Sequence, residues 1–548
     1  MKQKKKQKKT KIPSKVLKQH KRAEVLKPDN AYANFKNWKD VKTFLLKNLD
    51  FVLLLSLIII AVYFNSLKGV FISDDVPGYL NNPLIRDFKT ALSTWHWQEI
   101  TYSILFAIFK LNPTPLHVLS VLFHIVSVLS FFIFTSNFFS KRISMFSAML
   151  FAVHPLASEV VAWISAINYP IFSTTTFLAG TSYVMFRRTN NKKHLWISVG
   201  MFGLVLFFTK ASQALTVFPV IILIDQFLIE KKLTWKSAKH LSWYLIPIGL
   251  YLAGKAAKIA FRIDAVSPTL NTGHTSYLTS LPYSIYMTIR LMVFPDKLSL
   301  YHDSEPITKF LLFEMYTTFA VLVWSVILTW KKHRKVAGLI LIGVASFAYM
   351  LSPIQVSWYF AERYVYFATA IFCIFLAMGI NKIEKKFPKK HISLIVLVLI
   401  AGAYSARTFV RNNEWRTRKS LWEATARVVP LSARTYNNLG DVYAVEENME
   451  ASVEAFLKAI ELDPNYADAT HNLGLTYYKM GELDRATAQF QASLEINPNL
   501  LPAYVHLSMV EFDKQNLGKA KEYLEKSLEI NPNYTRARQL LDNFPEIN

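Results

Sequence analysis

Two adjacent aspartates, Asp74 and Asp75, follow the first long apolar run, within the stretch FISDDVPGYLNNPLIRDF. A carboxylate beside a bilayer surface can take a proton from an acceptor hydroxyl while that oxygen attacks an electrophilic carbon. The blander alternative is a pair of acids that solvates a loop. Further charges lie within or beside other apolar runs, where their cost makes them pointers to function. His154 and Glu159 sit in FAVHPLASEVVAWISAINYP, Lys210 in FFTKASQALTVFP, and Glu362, Arg363 and Tyr364 in SWYFAERYVYFATA. An Arg or Lys held there could grip a phosphate, Arg with two parallel hydrogen bonds. Snorkelling to the interface or an internal ion pair is the competing use of such a cation. Glu362 and Arg363 are neighbours in sequence, so on a helix they point in different directions and need not pair with each other.

The elements that must position these groups are apolar helices. Of 548 residues, 52% are hydrophobic and 14% aromatic, too apolar for an ordinary soluble chain of this length. Runs long enough to cross a hydrocarbon layer of about 30 Å lie near 44–64, 116–139, 143–164, 168–186, 194–209, 213–230, 241–260, 278–295, 311–330, 336–352, 361–380 and 391–410. Lys and Arg outnumber Asp and Glu by 63 to 38, but they cluster in short connectors between apolar runs, as the positive-inside rule requires. With no nucleic-acid motif beside it, this charge does not point to nucleic acid. Connectors at Lys141/Arg142, Arg187–Lys193, Lys231–Lys239, Lys331–Lys335 and Lys382–Lys390 are expected on the cytoplasmic face of a multi-pass cell membrane, together with the N-terminus. Three crossings between Lys239 and Lys331 would break that pattern. The segment 278–295, with Pro282, Arg290 and Pro295, is therefore expected not to cross. About eleven spans remain, and an odd count sends the chain after residue 411 to the outer face.

Residues 1–43 read as a basic, disordered cytoplasmic tail suited to anionic lipid: eleven Lys/Arg fall in the first 22 positions with no acid among them. The run after it is too long for a signal-peptide core and reads as a retained span. Cys373, the single cysteine, excludes an intrachain disulfide and a cysteine metal cluster. There is no phosphate-binding Walker loop, no Gly-x-Ser-x-Gly elbow and no His-Glu-x-x-His zinc helix.

Beyond residue 410 the composition changes. After a connecting helix in 411–432, the prolines Pro430, Pro464, Pro498 and Pro532 recur every 34 residues, the tetratricopeptide period. Leu439-Gly440, Leu473-Gly474 and Leu507-Ser508 stand where a small residue lets paired helices approach. Tyr443, Tyr477, Phe456, Phe490, Ala486 and Ala520 fill other packing positions. Residues 433–548 thus read as three repeats, 433–466, 467–500 and 501–534, closed by a capping helix near 535–543. The fold class is all-α: a polytopic membrane domain over 44–410, then an α-solenoid.

In this order the motifs resemble the transmembrane and tetratricopeptide repeat proteins, with their bacterial and archaeal relatives, in the wider group of polytopic type-C glycosyltransferases. The elements of the likeness are Asp74, Asp75, Asn81, Asn82 and Pro83; His154, Pro155 and Glu159; Glu362, Arg363, Tyr364 and Tyr366; and the passage WEATARVVPLSARTYNNLG into the repeats. The resemblance implies an outward-facing cavity and a lipid-phosphate-sugar-dependent, O-mannosyltransferase-like enzyme. Its donor would be a mannose-like hexose on polyprenyl phosphate, and its acceptors Ser/Thr hydroxyls of exported proteins presented by the repeat groove. Carried over by position, Asp74 or Asp75 is the general base and Arg363, with Lys210 as helper, the donor-phosphate ligand. His154, Glu159, Glu362, Tyr364 and Asn81 are further cavity candidates. Relatives often place a Lys-Glu pair where this chain has Lys210-Ala211-Ser212, a departure that bears on the substrate. A divalent metal, Mg²⁺ or Mn²⁺, is compatible with paired acids but not required by such donors. Two other functions share this architecture: a ligase or polymerase of envelope polysaccharide, and a non-catalytic membrane scaffold whose repeats recruit proteins.

Overall fold

The structure is a computed structural model and describes residues 32–94, 97–208, 216–229, 235–253, 277–302, 308–351, 360–386 and 391–545. Those residues are helical with connecting turns, without strands. The chain divides into two compact units, Met1–Leu298 with Ile307–Arg416, and Ser299–Pro306 with Thr417–Asn548.

In the first unit, five helices among the described residues are long and apolar enough to cross a membrane: Leu49–Lys68, Pro113–Ser136, Lys309–Lys332, Glu362–Glu384 and Ile392–Glu414. A sixth is bent by 53° where Lys141–Ala152 meets Pro155–Ala162. Pro155 has no N–H to continue the first helix, so the chain breaks at His154-Pro155. Among the described residues, helix length and apolarity give five or six of the about eleven crossings expected. Asn168–Thr189 is not among these five helices, and Lys192–Phe208 and Arg334–Ser346 are only 17 and 13 residues long; Tyr277–Val293, in the segment expected not to cross, has 17 residues.

Local chemistry explains where the helices start. Asn112 caps Pro113–Ser136 by accepting from the Thr114 N–H, and Pro113 fills a first-turn position that needs no donor. Residues 32–43 correct the expectation of a disordered tail through residue 43. A reciprocal capping box between Asn37 and Asp40 starts the helix Trp38–Lys47, and Phe35, 2% exposed, packs edge-on against Phe44. Aromatic rings fill the core between spans: Phe131 lies against Phe151 and Phe177, and Phe177 stacks on Phe367 at 4.6 Å. Cys373 is buried there. By contrast the outer face of Lys309–Lys332 leaves Phe310, Phe313 and Trp324 at 69%, 67% and 60% exposure, a surface suited to lipid.

Polar contacts gather at two ends of this unit. At one end Arg188 donates to Asn137 Oδ1 at 2.7 Å, Arg142 pairs with Glu384 at 3.5 Å, Arg187 pairs with Asp225, and Arg334 donates to the Gln226 carbonyl at 2.9 Å. Four of the basic connectors thus meet, along with the segment after Tyr32, whose N–H bonds the Phe139 carbonyl at 2.7 Å. At the other end the first and last spans are stapled: Asn65 Nδ2 donates to the Phe409 carbonyl at 2.8 Å, and Asn412 Nδ2 to the Val62 carbonyl at 3.0 Å.

The second unit is a stack of helix pairs: Ala433–Val445 with Met449–Leu462, Ala467–Lys479 with Leu483–Ile496, and Leu501–Asp513 with Leu517–Ile530. Arg418–Val428 precedes them and Thr535–Asp542 follows. The small residue at each crossing is a steric need. A Cβ on Gly440 would lie 2.8 Å from the Phe456 ring, and one on Gly474 2.9 Å from the Phe490 ring.

Candidate active site

The two aspartates part company in the fold. Ser73, at φ 50°, turns the chain sharply just before them, and a single wide helical turn, Val76–Leu80, follows. Asp74 is left exposed while Asp75 is fully buried. Asp75 Oδ1 accepts from the Ser165 backbone N–H at 2.8 Å and from its hydroxyl at 2.5 Å, and Oδ2 accepts from the Ile72 N–H at 3.3 Å. Burial pushes the Asp75 carboxyl up to about 7, against the pull of these hydrogen bonds. Around it the loop has its own small core of Phe71, Tyr79, Ile85, Tyr102, Leu116 and Ile164.

Arg363 arrives from a distant part of the sequence. Its Nη1 donates to Glu159 Oε1 at 2.5 Å, and its backbone N–H donates to Glu159 Oε2 at 2.9 Å. The guanidinium also lies over the Trp163 ring at 5.1 Å and the Tyr364 ring at 4.9 Å. Its side chain keeps 10% of its surface exposed, whereas Glu159 is wholly covered. The carboxylate and the rings fix the plane of the guanidinium, and an oxyanion reaching its exposed part meets a pre-set donor.

The decisive element is the short buried passage from Glu159 to Ser165. It begins in the one-and-a-half-turn helix Ser158–Ala162, crosses Trp163 in extended conformation, and enters a 3₁₀ turn at Ile164–Ala166. Within seven residues it supplies the carboxylate that holds Arg363, the ring beneath Arg363, and the hydroxyl that holds Asp75. Acid pair and guanidinium, far apart in sequence, therefore converge on one segment.

The other sequence candidates fall as follows. Glu362 turns away from Arg363 and faces Arg411 at 3.6 Å, an ionic contact longer than a hydrogen bond; Arg411 also pairs with Glu414 at 2.6 Å. Tyr364 is the ring over which Arg363 lies. His154 does not join the cluster through a hydrogen bond. Its Nε2–H donates to the Met292 carbonyl at 3.1 Å and its Nδ1 accepts from the Leu156 N–H at 3.2 Å, so both nitrogens serve the helix break. Asn81 is exposed and ends the turn after Asp75. Lys210 lies outside the described residues. Among the described residues no group of three or more His, Cys, Asp or Glu side chains converges to hold a metal ion.

Sequence reading missed Arg411, Trp163, Trp415 and Ser165. Trp163 stacks on Trp415 at 5.8 Å and Arg411 lies over Trp415 at 5.6 Å, so a chain of ring and guanidinium contacts runs from the end of the last span to Arg363. Both indole N–H groups are buried without a hydrogen-bond partner among the described residues. The one available signal was the run RNNEW at 411–415, an Arg and an acid at the end of an apolar segment.

Comparison with known proteins agrees with this architecture. Residues 99–255 match the family described as "Dolichyl-phosphate-mannose-protein mannosyltransferase". Residues 440–481, 467–500 and 501–534 match tetratricopeptide repeat families, the last two with the boundaries expected from the proline period. Similar curated proteins include "Protein O-mannosyl-transferase TMTC3" of Homo sapiens, 23% identical over 76% of this chain and 52% of that protein. "Protein O-mannosyl-transferase F38B6.6" of Caenorhabditis elegans is 25% identical over 76% of this chain and 63% of its own length. "Protein O-mannosyl-transferase Tmtc2" of Drosophila melanogaster is 31% identical over 20% of this chain and 11% of that protein. The chain thus spans only about half to two-thirds of the two relatives it matches at length. By class it is a helical membrane unit, similar over residues 99–255 to a mannosyltransferase family, joined to a repeat solenoid. The family it resembles on its motifs, the transmembrane and tetratricopeptide repeat proteins, is the family these comparisons find.

Proposed function

We propose that this chain is a membrane glycosyltransferase that moves a mannose-like hexose from a polyprenyl-phosphate donor to Ser/Thr hydroxyls of exported proteins. The observation that carries the reading is the convergence of the Asp74-Asp75 turn and Arg363 on the Glu159–Ser165 segment. Asp74 is the acid that solvent and acceptor can reach, so it is the general base, and Asp75 anchors its turn. Asp74 takes the acceptor hydroxyl proton as the oxygen bonds to the anomeric carbon. The bond from that carbon to the phosphate oxygen breaks, and polyprenyl monophosphate leaves against Arg363. A single displacement of this kind inverts the anomeric centre.

The sidedness follows the same logic. The end of the membrane unit where basic connectors gather is the cytoplasmic one by the positive-inside rule. The acid turn and the end of the last span, stapled through Asn65 and Asn412, then face outward. The helix pairs that follow form the kind of concave surface that takes an extended peptide.

The test is transfer from polyprenyl-phospho-mannose in membranes carrying Asp74→Asn. Turnover is expected to vanish while expression stays normal, and hexose to disappear from surface proteins by mass spectrometry in a deletion strain. Full activity of the variant ends the assignment. Altered envelope glycan with an unchanged glycoproteome would transfer it to a polysaccharide ligase.

A further inference from the structure

Ser165 stands at the junction of the acid turn and the guanidinium clamp. Its backbone N–H and hydroxyl both reach Asp75 Oδ1, at 2.8 and 2.5 Å, so two of the three hydrogen bonds that seat the buried carboxylate come from this one residue. The hydroxyl oxygen in turn accepts from the Tyr102 phenol at 3.3 Å, which points the Ser165 proton at Asp75. On the other side, Ser165 is two residues from Trp163, over which Arg363 lies, and six from Glu159, which bonds Arg363 twice. Glu159, Trp163 and Ile164 are all 4% exposed or less, so close packing holds the register of the segment that leads into Ser165. The separation between the two halves of the site is set by the register of this segment, and Ser165 is the only side chain of 159–165 that bonds the acid turn in the contacts described.

We infer that Ser165 is a positioning residue for the transfer reaction: through Asp75 it holds the turn that carries Asp74 at a fixed distance from Arg363. The inference rests on the transferase reading above. Its chemistry is mechanical rather than covalent. A base that must meet an acceptor oxygen within about 3 Å loses rate steeply when its support loosens, whereas the donor's phosphate contact at Arg363 does not pass through Ser165. Loss of the Ser165 hydroxyl should therefore lower kcat and leave the KM for donor alone. A side chain that merely supports packing would change the amount of folded protein, not the ratio of these constants.

The experiment compares wild type, Ser165→Ala, Ser165→Thr and Asp74→Asn, each as the full chain in nanodiscs. The substrates are polyprenyl-phospho-mannose and a pool of synthetic Ser/Thr-rich peptides. Ser165→Ala is expected to lower kcat by about 10- to 100-fold with donor KM within about twofold of wild type, and Ser165→Thr, which keeps a hydroxyl, to restore most of it. If Ser165→Ala keeps its kcat while Asp74→Asn is inactive, the positioning role is wrong and the transferase reading stands. If Ser165→Ala raises donor KM as much as it lowers kcat, the role is again wrong. If Asp74→Asn is itself fully active, the transferase reading fails first. Should Ser165→Ala not fold, Ser165→Cys decides, since its thiol is a weak donor in nearly the same volume: a wild-type donor KM with a kcat reduced severalfold supports the role, and wild-type values of both overturn it.

Discussion

Replacing Asp75 by Asn should make the protein more stable at alkaline pH and less active, and the size of the first effect can be worked from the structure. The Asp75 carboxyl is fully buried and its pKa stands at about 7 against an ordinary 3.8. A rise of that size corresponds to about 4 kcal/mol. Because the folded-state value is raised, stability from the neutral acid is fully present below pH 3.8 and is lost as pH climbs through about 7. Asparagine has no ionised form and escapes that loss. Its carbonyl oxygen can still accept from Ser165, but its amide would face the Ile72 N–H, 3.3 Å from Oδ2, and leaving that donor unmet costs about 1 kcal/mol. The net gain at pH 8 is about 3 kcal/mol. For a membrane unit of about 400 residues, with an unfolding entropy of about 2.1 cal/mol/K per residue, this is about 4 °C in Tm. Tm values of wild type and Asp75→Asn, measured in the same nanodiscs at pH 5 and pH 8, should nearly coincide at the lower pH and separate at the higher. Parallel values across the range would show that Asp75 does not ionise against a burial cost, and its assignment as the buried anchor of the site would fall. A variant that gains stability while losing transfer has the signature of a group kept for function.

Other expectations follow from the same contacts. Glu159→Ala leaves the Arg363 guanidinium buried without its carboxylate and should cost about 3–5 kcal/mol, read as a lower Tm and reduced yield; Glu159→Ala with wild-type Tm would contradict the pairing. In the repeats, Gly440→Ala places a methyl 2.8 Å from the Phe456 ring and should cost about 1–3 kcal/mol, whereas Gly518→Ala, with open space around it, should not destabilise; circular dichroism melts of the two full-length variants make the comparison. His506 bonds His471 at 2.8 Å, and burial, then the neighbouring His471 and Arg536, lower its value to about 4. A depressed value means stability present above about 6.5 and lost as pH falls toward 4, so His506→Gln should shift acid unfolding of the repeats, followed by hydrogen exchange, to lower pH.

The repeats were legible in the sequence because each unit is held by contacts within about 34 residues: proline, Leu-Gly and aromatic positions record local packing, and the boundaries follow. Apolar length likewise marks a membrane chain, since the demand of the hydrocarbon layer acts on each run separately. The candidate residues Asp74, Asp75, Glu159 and Arg363 could be picked out because charge near lipid is costly wherever the chain later goes. Their partners could not be picked out. Glu362 and Arg363 are neighbours in sequence, yet Arg363 bonds Glu159, 204 positions away, while Glu362 faces Arg411. Asp74 and Asp75 are the same residue type side by side, and only the turn at Ser73 and the placement of Ser165 send one to solvent and the other into the core. Residue type and local periodicity set what each stretch can do by itself, but which charge meets which, and which acid keeps access to water, depend on contacts between segments distant in the chain, and those exist only once the helices have packed.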